Sequence, residues 1–206
     1  MSYLTLSVYF GWIAVIIGFF GFSAQYRRAG TMGVEGISLA TWTIFSLMGC
    51  FWICYGIVAH SWAISMGSVV VLPQQVSVVF RLEPWRHWRV IVRCLVFFVA
   101  CCVLPTFFWG WAGGVLGTGI AMAMNRAPQL IELLRHDDAT GVSVWSWVLG
   151  AVCTAFWMLY YVGAHLWAAF SATGCALLAN IVIAVLASWR HNQRRAQLVR
   201  DEVFVS

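Results

Sequence analysis

The chain has 206 residues, of which 62% are hydrophobic and 9% charged, with a mean hydropathy of +0.85. A soluble domain carries about a quarter charged residues, so this composition excludes one. The net charge of +5 does not indicate nucleic acid, because the basic residues sit in short segments between long uncharged stretches.

No Asp, Glu, Lys or Arg occurs in 1–26, 36–80, 94–125 or 139–189. A helix needs about 20 apolar residues to cross a bilayer. In chain order the stretches predict spans at 9–26, at 37–59 and 61–80 about a turn at His60, at 90–108, at 110–134, and at 142–164 and 166–189 about a turn at His165. The opening MSYLTLSVYF lacks the basic n-region of a cleaved signal, so the first helix is expected to remain. The third stretch holds two spans if Arg93 and Arg126 occupy end turns and snorkel to the headgroups. The expected fold is therefore an all-α integral membrane protein with seven spans.

All twelve basic residues are arginine. In the seven-span arrangement Arg27, Arg28, Arg81, Arg86, Arg89, Arg93, Arg126, Arg135 and those of the tail share one side. Positive charge marks the cytoplasmic side, which predicts the N-terminus out, the C-terminus in, and a multi-pass protein of a plasma or inner membrane. The tail, 190–206, reads as a solvated cytoplasmic extension that touches anionic headgroups. Seven cysteines lie inside the spans without C-x-x-C spacing and read as small hydrophobes, with no metal site.

An internal repeat emerges at an offset of 105. GISLATW at 36–42 falls on GVSVWSW at 141–147, and FWICYGIVAHSWA at 51–63 on FWMLYYVGAHLWA at 156–168. Ten identities in 28 positions, several of them Trp and His, exceed what shared hydrophobicity supplies. Residues 1–80 form one three-helix copy and 110–189 the other. Residues 81–109 form a linker and linker helix that restores the direction, so the two three-helix bundles run parallel (3+1+3). Residues 190–206 form the tail. Transporter sites lie at such repeat interfaces.

Several residues stand out within this frame. Phe45, Met48, Trp52, Tyr55 and Ala59 share one helical face, and Trp52 and Trp157 are repeat equivalents. Gln75 and Asn180 place an amide at matching levels of the third helices, where hydrocarbon demands a partner, so both are candidates for the solute path. Pro128 lacks an N–H and frees a carbonyl one turn earlier, which suits a hinge. Pro73 is a second such position. His60 and His165 are turn residues beside Trp62 and Trp167, or a titrating pair at the outer gate. Glu35, Glu83, Glu132, Asp137, Asp138, Asp201 and Glu202 are all expected on the cytoplasmic side. With no carboxylate at mid-membrane, facilitated diffusion is expected over proton symport.

RAPQLIELLRHDDATGVSVWSW at 126–147, with a Pro-Gln pair, a short charged loop and Gly-aliphatic-Ser opening the next helix, resembles the PQ-loop motif. SAQYRRAGTMGVEGISLATW at 23–42 is its degenerate counterpart. Together with the repeat, the chain is similar to the SWEET (MtN3) and PQ-loop transporter superfamily over about 9–189. The resemblance implies a pocket lined by Trp52 and Trp157, with Ser68 and Thr173 where sugar carriers have Asn, and Met48 and Cys153 one turn before the tryptophans. It makes Pro128 and Gln129 the gate, while Ala24, Ala40 and Trp145 replace the family's other prolines.

The expected function is facilitative uniport of a small polar or amphipathic solute by alternating access, a sugar-like solute included. Alternatives are a proton-coupled amino-acid or organic-cation carrier, or a receptor or assembly subunit on the same fold. No Ser-His-Asp set, metal cluster or phosphate loop suggests an enzyme, and no cofactor is expected. The expected partners are the solute and the bilayer, with no nucleic acid, for a monomer or weak homo-oligomer.

Overall fold

A computed structural model describes residues 3–136 and 138–205; Asp137, one of the expected loop carboxylates, lies outside the described residues. Every element among the described residues is helical: α1 (Tyr3–Thr31), α2 (Leu39–Val58), α3 (Trp62–Arg81), a 3-10 turn (Pro84–His87), α4 (Trp88–Phe98) continued by a π turn (Val99–Val103), α5 (Leu104–Met124), α6 (Ala127–Arg135), α7 (Val144–Gly163) and α8 (Trp167–Val205). Six segments are long and apolar enough to cross a membrane: Leu6–Thr31, Leu39–Val58, Trp62–Arg81, Pro84–Arg135, Val144–Gly163 and Ala169–Leu198. They fit an integral multi-pass membrane protein. Phe20, Phe107, Trp109, Leu178 and Val185 lie exposed on their surfaces, which lipid tolerates and water does not.

The repeated residues explain where α2 and α7 begin and end. Ser38 and Ser143 are N-caps whose hydroxyls accept from Thr41 N at 3.3 Å and Ser146 N at 3.2 Å, satisfying an otherwise orphaned donor. At the other ends, His60 (φ 51°) and His165 (φ 57°) take the left-handed conformation that terminates helices. The amides of Ser61 and Leu166 return to the carbonyls of Gly56 and Tyr161 at 2.8 and 2.9 Å.

The fourth apolar segment, 52 residues long, folds back on itself. Gly110 has φ 66° and ψ −166°, accessible to glycine and strained for any other residue. Beyond it, Gly117 packs against the carbonyl of Cys101 and Gly114 against Thr106 and Phe51. In a straight helix Gly117 and Cys101 would stand about 24 Å apart. Pro105 has no N–H to give Cys101, and the π turn just before it absorbs the defect.

Three boundaries differ from expectation. The span predicted over 110–134 breaks at Asn125 and Arg126, because Pro128, in the first turn of α6, has no N–H to donate to the Met124 carbonyl. α1 is longer than predicted. The tail predicted as solvated from 190 continues α8, and its first turns are bound to the rest of the molecule. Arg190 Nε donates to Leu133 O at 3.2 Å, His191 Nε2 lies 2.8 Å from Ala139 O, and Arg194 pairs with Asp138. Burial raises the Asp138 carboxyl, but hydrogen bonds from the Thr140 hydroxyl and amide, with the Arg194 guanidinium, outweigh it and hold the group below its ordinary value.

In each copy the third helix lies in the middle: α3 touches α1 and α2, and α8 touches α5 and α7. The copies meet where α1 packs along α7. Gly11, Ala14, Gly18 and Gly21 recur along α1 at helical spacing. Added Cβ atoms at Gly18 and Gly21 would reach Cys153 Sγ and Leu149 Cβ, each at 3.3 Å. Small residues of this kind let membrane helices approach closely.

Candidate functional site

Between the two copies lies a cavity of about 180 Å³. Its walls follow from helical periodicity: α2 contributes Trp42, Phe45, Met48, Gly49 and Trp52, and α7 contributes Trp147, Gly150, Cys153, Thr154 and Trp157. Seven of the eight predicted solute residues line it together: Trp52, Trp157, Ser68, Gln75, Asn180, Met48 and Cys153. Thr173 does not. It is buried, and its hydroxyl donates to the Ala169 carbonyl one turn back, the usual internal bond of a helical threonine. Among the described residues of α8 Asn180 alone lines the cavity, whereas α3 presents a face that includes Ser68 and Gln75.

Each tryptophan is held by aromatic neighbours on its own helix. Trp52 meets Tyr55 edge-on at 5.6 Å, while Trp157 meets Tyr160 edge-on at 5.5 Å and stacks on Tyr161 at 5.9 Å. Cys153 Sγ donates to the Ala14 carbonyl at 3.2 Å, and Met48 Sδ accepts from Asn125 Nδ2 at 3.8 Å.

Arg126 corrects an expectation. Predicted to snorkel from an end turn, it is instead buried, 6% exposed, and lines the cavity. Its Nε donates to Asn180 Oδ1 at 2.6 Å, and its Nη1 donates to Met122 O at 2.7 Å and Asn125 Oδ1 at 2.8 Å. The guanidinium also faces the Phe45 ring, 5.3 Å from its centroid. Asn180 is completed by donating from Nδ2 to Thr154 Oγ1 at 3.0 Å. Gln75, its repeat equivalent, leaves Oε1 buried without a partner. The break at Pro128 is what directs residue 126 inward rather than along a continuing helix.

At the arginine end the copies exchange glutamines. Gln129 of the second copy donates from Nε2 to Gly36 O at 2.5 Å and accepts from Ser38 N at 2.9 Å. Gln25 of the first copy donates to Gly141 O at 2.7 Å and accepts from Ser143 N at 2.8 Å. Between them the two loops touch backbone to backbone. A Cβ on Gly36 would come 2.8 Å from Asp138 O, and one on Gly141 would come 2.7 Å from Gly33 O. The opposite end is bridged by the hydroxyls of Ser61 and Tyr160, 3.0 Å apart.

The other predicted gating residues lie apart from the cavity. His60 and His165 are exposed in their turns, and Pro73 faces outward from an α3 that stays helical through it. Sequence reasoning missed Gln25 and Arg126. The signal for Gln25 was present: the first helices align at an offset of 104, not 105, which sets Gln25 on Gln129 and Phe22 on Arg126. No protein-family model, no curated protein and no solved structure matches the chain, so function must be argued from these residues.

Proposed function

We propose that the protein is a membrane transporter that passes a small polar or amphipathic solute through the cavity between its copies by alternating access, as a facilitative uniporter. The observation that carries this reading is the coincidence of repeat-equivalent pairs, Trp52 with Trp157 and Gln75 with Asn180, around one cavity. Indoles supply flat apolar walls for a solute, and amides fix its orientation. The Gln25 and Gln129 bonds close the arginine end, and rocking of the copies about the cavity would open it. The break before Pro128 and the exchange of glutamines support the likeness to the PQ-loop superfamily.

The topology belongs to the same proposal. The reversal at Gly110 divides the fourth apolar segment into two crossings. This gives seven spans in a 3+1+3 order, with the arginine end cytoplasmic and the N-terminus outside. A cysteine at His165 is then expected to react with an impermeant thiol reagent from outside, and reaction only from the cytoplasmic side contradicts this orientation.

Transport is tested on purified protein by thermal shift against sugars, amino acids, nucleosides and organic ions, since a ligand of the native state raises the melting temperature. Flux of the stabilising solute is then measured in proteoliposomes. Loss of one stacking ring corresponds to about tenfold in binding. Trp52→Ala and Trp157→Ala are therefore each expected to cut flux by about that factor without loss of expression. Flux unchanged in both variants refutes the site, and tight binding without flux turns the reading toward a receptor.

A further inference from the structure

A guanidinium carries five N–H donors and stays protonated in proteins. In Arg126 three are used, one on Nε and two on Nη1, and every acceptor is neutral: Asn180 Oδ1, Met122 O and Asn125 Oδ1. The two Nη2 donors meet no acceptor among the described residues. No carboxylate among them pairs with Arg126 either; the ion pairs described among these residues, Arg86 with Glu83, His136 with Glu132 and Arg194 with Asp138, lie outside the cavity. The cavity is therefore walled by a buried positive charge that the protein orients with three bonds and does not neutralise.

A buried charge without a counter-charge is costly, and an ionisable group inside a membrane protein marks a functional site whose partner must be identified. A structural role, bracing the chain break at Asn125, accounts for Nε and Nη1. It does not account for an open Nη2 fork on a residue that lines the cavity. The first copy sharpens the point, because Phe22 stands where the second copy has Arg126, and Gln75 stands unpartnered where Asn180 holds the guanidinium.

We infer that the solute is a small organic monoanion whose carboxylate takes the Nη2 edge of Arg126, with its apolar body between Trp52 and Trp157. The inference rests on the transport reading and names its substrate class. A planar carboxylate matches the geometry of a guanidinium edge, and one fixed cation balances one negative charge, leaving a phosphate dianion half unpaired. Gln75 lines the same cavity, 4% exposed, with an amide oxygen that has no partner.

The test is binding to the full chain in detergent by benzoate, benzamide and benzylamine, three probes of similar size that differ in charge. Benzoate is expected to raise the melting temperature, with the neutral and cationic probes having little effect. Arg126→Gln is expected to weaken benzoate by about 30-fold or more and to abolish the preference for charge. Should that variant fail to fold, the charge series on the unaltered protein still decides, and Arg126→Lys, which keeps the charge without the fork, should bind benzoate at intermediate strength. Benzamide or benzylamine binding as well as benzoate overturns the anion assignment and leaves the solute site standing. If none of the three binds while a Trp-dependent neutral solute does, the anion assignment also falls. If no solute of any charge binds, both readings fall.

Discussion

At the arginine end the two copies treat each other alike: Gln25 of the first holds Gly141 and Ser143 of the second, and Gln129 of the second holds Gly36 and Ser38 of the first. Inside the cavity the likeness is kept by the tryptophans, Trp52 with Trp157 and Trp42 with Trp147, and lost among the polar residues. Asn180 is saturated by Arg126 and Thr154, whereas Gln75, its counterpart, has an idle oxygen, and the position matching Arg126 is Phe22. The first helices differ too. α1 packs its small residues along α7, while the glycines of α5 beyond Gly110 pack on the residues before that reversal, Cys101, Pro105 and Thr106, and on Phe51. The duplicated frame thus preserves the contacts that join the copies and the indole walls of the cavity, and differentiates its polar groups.

The sharpest way to break this comparison is to remove the two equivalent amides. Asn180→Leu strips a buried cation of an acceptor and is expected to cost about 3 kcal/mol. Gln75→Leu removes an oxygen that bonds nothing and should be neutral or stabilising in detergent unfolding. Equal losses would show that the copies are not differentiated at this level. Next come the glutamines. Gln25→Leu and Gln129→Leu each leave a buried amide and carbonyl unpaired, about 2 kcal/mol. Hydrogen exchange should report the crossing, with Ser143 N–H accelerated by the first change and Ser38 N–H by the second. Acceleration within the same copy would contradict the exchange.

A smaller effect belongs to the turns. His60→Val and His165→Val force a β-branched residue to positive φ and should each cost about 1–2 kcal/mol. The glycine variants should unfold close to the parent, and flux unchanged in those variants would assign the histidines to turn geometry alone. The smallest effect distinguishes the loops. Asp138 has its carboxyl held below the ordinary value, so its contribution is present above about pH 4 and is lost as pH falls through the folded value. Asp138→Asn should cost about 0.5 kcal/mol at neutral pH, since the pair is part-exposed, and nothing in strong acid. A deficit that persists at low pH would assign the loss to geometry instead of charge.

The membrane class, the repeat and the helix boundaries near His60, Gly110 and His165 were legible because each has a local cause: uncharged length, recurring Trp and His, and a residue that ends a helix. Of the seven cavity residues, Met48, Trp52 and Trp157 were legible from the face they share on α2 and its repeat equivalent on α7, Gln75 and Asn180 from their matching levels in the repeat, and Ser68 and Cys153 from the family resemblance. Thr173 was not, since whether a helical hydroxyl faces a cavity or its own carbonyl depends on how far the helix is rotated, which equivalence does not reveal. Arg126 was misplaced because hydropathy assigns arginines to the nearest interface. Its true position depends on the chain break before Pro128 and on acceptors from α8, 54 residues away in sequence. Gln25 follows Ala24 in the degenerate motif as Gln129 follows Pro128, but with the proline missing only the second copy was read as a gate.

The most direct test of a solute path between the copies is accessibility at its centre. Ser68→Cys in a background with the seven native cysteines replaced is exposed to an impermeant thiol reagent from each side of a sealed membrane, with and without Gln129→Leu. Alternating access predicts labelling from the histidine side with the glutamines intact, since there the Ser61 and Tyr160 hydroxyls bridge the copies in place of the glutamine bonds. It also predicts added labelling from the arginine side once Gln129 is changed, and protection by a bound solute. A position 68 that reacts from neither side in either protein would make the cavity a sealed packing void and contradict the account.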